Sequence, residues 1–286
     1  MAIFWMFYSG LLCALTNLCM RKSIEFCGSA KAFFVFQLFF TLMVTLLLHP
    51  IQEEWKSICW TLMGLGVLGG VFLGIMKLMI GKALEKGPSG LTFALVNSAC
   101  VMPSLIFLIF FGDSTYTFWN GMGTMLVVIG LWWAAVSAFS CPKAKWKWGS
   151  FAAFGFLFYT FFLLVAECRV WLIHEFGYQT SYFLPMIYFA ASTMHFFIFY
   201  YSEKRKPMKE EILWGIVGGI LNGASMYYFI LATDQVTPDQ KAVLFPSFTV
   251  SLIVCCNLWG QLLYKEKVNW PANSFCLGGI VLGSVI

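Results

Sequence analysis

GVLGGVFLGIMKLMIGKA, residues 66–83, returns as GIVGGILNGASMYYFILA, residues 215–232, and the reading of that pair decides the fold. Gly66, Gly69, Gly70, Gly74 and Ala83 recur 149 positions later as Gly215, Gly218, Gly219, Gly223 and Ala232. The same offset pairs Glu85 with Asp234, Leu95 with Leu244, Ser98 with Ser247 and Val101 with Val250, so the match runs ungapped into the next apolar segment. A period this long is no solenoid repeat and points to duplication of a whole half-domain. Glycines sharing a helix face also let two backbones approach closely inside a membrane bundle.

Composition sets the solvent of that bundle. The 286 residues are 60% hydrophobic, 19% aromatic and only 11% charged, which leaves a water-soluble domain of this size nothing to face water with. Apolar runs cover residues 2–20, 32–49, 58–80, 91–111 and 118–139, and five more cover 149–166, 178–201, 212–232, 242–264 and 270–286. Each is close to the roughly 20 residues an α-helix needs to span a bilayer, and none alternates as a barrel strand would. The expected fold is an all-α integral membrane protein with ten transmembrane helices in two five-helix repeats. Residues 1–140 form the first repeat, 141–148 a basic cytoplasmic linker with Trp146 and Trp148 at the interface, and 149–286 the second. The first run lacks a basic n-region and is followed by Arg21 and Lys22, so it reads as a retained helix instead of a secretion signal.

Charge orients the chain. Of the 18 Lys and Arg residues, Lys56, Arg169 and Lys241 fall on one side of a ten-helix chain, Lys77 lies inside a helix, and the rest fall on the other side. The positive-inside rule makes the crowded side cytoplasmic and puts both termini outside, with a bacterial inner (plasma) membrane as the expected location. Five helices per copy force the second copy to enter the membrane upside down. Such inverted-topology repeats are the architecture of alternating-access carriers, with the binding site near the midplane. The net charge of +5 is explained by this topology and implies no nucleic-acid partner. Six of the ten cysteines (Cys13, Cys19, Cys100, Cys255, Cys256 and Cys276) lie in apolar runs without metal-ligand spacing, so no disulfide, metal or cofactor is assigned.

Two segments invite sharper readings. Gly87-Pro88-Ser89-Gly90 at the start of helix 4 resembles the nucleophile motif of rhomboid-type intramembrane serine proteases, with Ser89 as nucleophile and His195 as base. The repeat argues against it, because the same place in the second copy reads Val236-Thr237-Pro238-Asp239 and looks like a connector. Lys77, the one basic residue deep in a run, either snorkels to the cytoplasmic interface or lines a water-filled cavity and meets an anionic group.

The A-x-x-x-x-P connector at Ala83 to Pro88 has a looser counterpart at Ala232 to Pro238, and helices 4 and 9 carry Pro103 and Pro246. Asp113 and Glu266, closing those helices, each precede a glycine by seventeen residues, at Gly130 and Gly283. In these features the chain resembles the drug/metabolite transporter superfamily in its ten-helix form with two EamA-like halves. The resemblance implies that helices 1, 3, 4, 6, 8 and 9 surround a central cavity and that helices 5 and 10 are peripheral.

On that arrangement the expected substrate-binding residues are Asn17, Lys77 and Asn97 from the first copy and Tyr159, Thr160, Asn222, Ser225, Tyr228 and Asn257 from the second. They supply a few polar groups among aromatic walls. The competing role for each Asn or Ser is an interhelical hydrogen bond of about 0.6 kcal/mol. None of the 13 Asp and Glu residues lies in the middle of a helix, so the membrane carboxylate expected of a proton-coupled cation exporter is missing. The expected function is therefore not enzymatic. It is secondary transport of a small neutral, zwitterionic or anionic metabolite, by facilitated diffusion or exchange. The alternative is a cation such as an S-adenosylmethionine-like compound, held by an aromatic cage. The partners are this metabolite and the lipid bilayer, with a second copy, as a homodimer, a candidate.

Overall fold

The computed structural model describes residues 1–26, 28–48, 59–87, 89–102, 142–176, 182–235, 241–265 and 268–283, together with nine helical positions between 106 and 133. Nine α-helices are described: α1 (Ala2–Glu25), α2 (Ala30–Leu48), α3 (Trp60–Leu84), α4 (Ser89–Asn97), α5 (Pro142–Phe176), α6 (Phe183–Glu203), α7 (Lys209–Asp234), α8 (Lys241–Tyr264) and α9 (Trp270–Gly283). No strand occurs among the described residues. Seven of these helices, α1, α2, α3, α5, α6, α7 and α8, are long and apolar enough to cross a membrane. The chain is a multi-pass α-helical membrane protein by length and composition. The expected fifth span, 118–139, lies outside the described residues apart from eight of those nine positions, so α5 to α9 stand where helices 6 to 10 were expected.

The helix ends have local causes. Ser29 caps α2, its Oγ accepting from the Lys31 amide at 3.1 Å. Lys204 and Lys265 adopt the left-handed conformation, with φ 48° and 51°, and end α6 and α8. Asn269 Oδ1 accepts from the Ala272 amide at 3.1 Å and starts α9. At α7 the carboxylate of Glu211 reaches back to the Met208 amide at 2.6 Å, half of a capping box. That same buried carboxylate accepts from Arg205 at 3.0 and 2.5 Å and from the Ser29 amide at 2.5 Å. Glu203 joins through Arg205 at 2.8 Å and through the Ser29 hydroxyl, so the starts of α2 and α7 and the end of α6 are tied together on one face.

Helix 4, expected over 91–111 with Pro103 interrupting it, tightens into a 3₁₀ turn at Ser98–Val101. Asn97 and Ser98 bond back to the Phe93 and Leu95 carbonyls at 2.7 and 2.6 Å, and the Met102 amide donates to the Ala99 carbonyl in the 3₁₀ pattern. The stretch 142–148, expected as a linker, is the start of α5, with Pro142 at the first helical position. Trp146 is 81% exposed as an interfacial residue should be, but Trp148 is buried and donates to Thr92 Oγ1 at 2.8 Å. It fills the space beside Gly87, where any Cβ would strike its ring.

Packing follows the small residues. Gly66, Gly70 and Gly74 of α3 lie against Met186, Ala190 and Met194 of α6, so close that a Cβ added to them would sit 2.8, 2.7 and 2.9 Å from those side chains. Gly215, Gly219 and Gly223 of α7 lie in the same way against Phe36, Phe40 and Val44 of α2, with 2.6 Å at each. Both seams run parallel, since residue numbers rise together along them.

Other pairs run antiparallel. Ser9 and Thr16 of α1 meet Ser225 and Gly218 of α7, and Gly69 and Ile80 of α3 meet Val165 and Gly155 of α5. Ser29 and Phe34 on α2 meet Glu203 and His195 on α6, also antiparallel. The helices gather into two groups: α3, α4, α5 and α6 in one, and α1, α2, α7 and α8 in the other, joined where α2 meets α6 and α4 meets α8. Trp133, one of the described positions after α4, stacks edge-on against Phe275 of α9 at 5.6 Å.

Candidate functional site

The buried polar groups divide into those that hold helices together and those that face one another in the interior. Ser225 belongs to the first kind. Ser9 Oγ donates to the Ser225 carbonyl at 2.8 Å and Ser225 Oγ donates to the Ser9 carbonyl at 2.9 Å, a reciprocal clasp between α1 and α7. Asn97 and Thr160 donate to their own helices, to the Phe93 and Phe156 carbonyls at 2.7 and 3.0 Å. Tyr228 stacks on Trp5 at 5.2 Å and meets the edge of Tyr8 at 4.9 Å, near the start of α1 and apart from the other candidates.

Lys77, Tyr159 and Asn222 converge. Asn222 Nδ2 reaches Thr41 Oγ1 and the Tyr188 hydroxyl, both at 3.3 Å, joining α7 to α2 and α6. Tyr159 accepts from the Cys100 thiol at 3.8 Å and is within electrostatic reach of Tyr188 and Cys13. Cys13 is the shared neighbour: it is close enough to interact with Lys77, Tyr159, Tyr188, Cys100 and Cys256. Asn17 Nδ2 approaches Cys256 Sγ at 3.7 Å one turn further along α1, and the neighbouring Asn257, 3% exposed, has no partner for its Nδ2 among the described residues. Six helices thus contribute to one interior cluster of amide, phenol, thiol and ammonium groups. Among the described residues no three His, Cys, Asp or Glu side chains are placed to hold a metal ion.

Lys77 points into the bundle. It is 8% exposed, its ammonium lies 5.6 Å from the centre of the Phe34 ring, and among the described residues it has no hydrogen bond or ion pair. His195 is fully buried, packs edge-on against the same Phe34 at 5.2 Å, and donates from Nε2 to the Gly74 carbonyl at 3.0 Å. The carbonyl can only accept, which fixes the proton on Nε2 and leaves Nδ1 a lone-pair acceptor. The side chain of Ser89 lies outside the described part of the structure.

No protein-family model and no curated protein matches this chain. Solved structures do: fourteen chains match, and one crystal structure of a protein superposes with a TM-score of 0.68 at 14% identity, covering 99% of this chain and 94% of that one. That likeness shows the fold alone.

Sequence reading singled out none of Phe34, Gln37 and Tyr188. Gln37 carried a signal, as the one amide in α2. The others are ordinary residues of an apolar helix and become visible only once helices distant in sequence are placed around them.

Proposed function

We propose that this chain is a secondary transporter of the drug/metabolite type, in which two inverted five-helix halves enclose one passage for a small organic metabolite across a bacterial inner membrane, with both termini outside. The observation that carries the reading is the register of the two glycine seams. Gly66, Gly70 and Gly74 meet residues 186, 190 and 194, while Gly215, Gly219 and Gly223 meet 36, 40 and 44. The first set becomes the second by adding 149 to the glycines and subtracting 150 from their partners, as an exchange of the two halves requires.

The remaining contacts support the same exchange of halves. The pairing of α1 with α7 has its counterpart in α5 with α3, and that of α1 with α8 in α5 with α4, while α2 with α6 and α4 with α8 map onto themselves. The antiparallel run of α2 against α6 is what an inverted pair of corresponding helices requires. The interior cluster around Cys13 lies where both groups of helices meet, as expected of a site that is opened to each side in turn.

The test is a thermal-shift screen of the detergent-purified protein against a metabolite library, followed by flux into liposomes for each hit. Binding without flux for every hit would leave a membrane receptor instead of a carrier.

A further inference from the structure

Among the described residues Lys77 is the one cation in the interior cluster, and its surroundings are incomplete in a specific way. An ammonium taken out of water costs several kcal/mol unless a counter-charge or hydrogen bonds replace the lost hydration. Phe34 offers only its ring face, at 5.6 Å, worth about 0.5–2 kcal/mol. Other unmet polar groups sit near the same place. His195, edge-on to Phe34 at 5.2 Å, keeps Nδ1 as an acceptor, and Gln37, one turn along α2 from Phe34 and 0% exposed, keeps its amide oxygen and nitrogen, all three without a partner among the described residues. Lys77 of α3 and His195 of α6 therefore meet at the Phe34 ring, and α2 carries, one turn on from that ring, an amide with both functions free.

We propose, building on the carrier reading above, that Lys77, Gln37 and His195 form the subsite for the carboxylate end of the transported molecule, which is a monocarboxylate of the amino-acid or hydroxy-acid class. One ammonium balances one negative charge. A phosphate monoester carries about two charges at neutral pH, and the cluster holds no guanidinium to meet them in the two-pronged way that phosphate sites use. The carboxylate takes donors from Lys77 and Gln37. The amino or hydroxyl group of the same molecule has His195 Nδ1 and the Gln37 oxygen as acceptors, so a zwitterion is matched at both ends.

Cys13 reports on this site, because it is partly accessible and within electrostatic reach of Lys77. In the purified full-length protein, Cys13 is labelled with an anionic sulfonatoethyl or a cationic trimethylammonioethyl methanethiosulfonate. Labelling is read by peptide mass spectrometry and normalised to the rates with a free thiol. The anionic reagent is expected to react at least roughly ten-fold faster, since an unscreened charge in a low-dielectric cleft concentrates counter-ions by that order. The preference should disappear in Lys77→Gln and persist in Lys77→Arg. If Lys77→Gln does not fold, the wild type still decides: equal rates, a cationic preference, or no reaction at Cys13 with either reagent overturns the site.

Glycine, L-serine, L-glutamine and L-lactate are then tested as protectants against their amides and against glycerol 3-phosphate. At least one acid should slow Cys13 labelling several-fold while its amide does not. Protection by glycerol 3-phosphate alone, or by none of the acids, overturns the carboxylate assignment. Flux is measured separately in liposomes. A lost charge preference with intact flux sinks this subsite only, and protection by acids that are never transported sinks the carrier reading only.

Discussion

The glycine seams give the sharpest quantitative test. In Gly70→Ala the new methyl would lie 2.7 Å from the Ala190 Cβ and closer still to the Ile187 carbonyl oxygen, both on α6. Ordinary carbon–carbon contact is about 3.5–4.0 Å, so the α3 and α6 backbones must separate locally by roughly 1 Å. Backbone cannot step aside as a side-chain tip would, and overpacking of this kind costs about 1–3 kcal/mol. Gly219→Ala meets Phe40 Cβ at 2.6 Å and the Gln37 carbonyl at 2.7 Å on α2, so its cost should match. Gly64 is the internal control: it lies on α3, and an added Cβ meets nothing within 4 Å. There the gain in helix propensity, up to about 1 kcal/mol, should leave the protein unchanged or slightly more stable. Unfolding in mixed detergent–SDS micelles, followed by circular dichroism, measures all three. Equal stability of Gly70→Ala and Gly64→Ala would refute the seam. A large cost for Gly70→Ala with none for Gly219→Ala would refute the equivalence of the two halves.

Glu211→Ala removes the carboxylate that gathers Arg205 and two backbone amides. It should cost about 2–3 kcal/mol by the same assay, below the ~3–5 of a fully buried pair because Arg205 can hydrate. Asn222→Leu breaks the bridge to Thr41 and Tyr188; the variant should still elute as a folded species on size exclusion while liposome flux of a screened substrate is abolished, and undiminished flux would remove Asn222 from the site. Ser9→Ala and Ser225→Ala each open one arm of the clasp between α1 and α7. Each should lower stability by about 0.6 kcal/mol without altering flux, which double-mutant analysis in SDS titration checks.

The sequence reading was strongest where residue type is constrained by backbone geometry. Gly66, Gly70 and Gly74 and their counterparts are visible because only glycine fits a seam that tight, and those positions locate both parallel contacts. The partner helices were not matched to each other, since Phe36, Phe40 and Val44 correspond to Met186, Ala190 and Met194, and in a bilayer any apolar side chain serves at such places. The site was legible only in part for a related reason. Asn97, Thr160 and Asn222 look alike in a string of letters, yet two turn back on their own helices and one bridges to others. Trp148, expected in the headgroup layer, is buried because Gly87 leaves room for an indole and Thr92 accepts its N–H.

The interlocking of α3 with α6 and of α7 with α2 has a consequence for biogenesis. As the chain enters the membrane, α2 and α3 are inserted long before the helices their tightest faces will adjoin exist. The early half must wait, its small-residue surfaces lined by lipid, until synthesis of the later half supplies the partners. Among the described residues, neither half holds a finished core of its own. Maturation is therefore a single late event, and a ribosome that stops before α6 leaves behind inserted helices and no assembled protein.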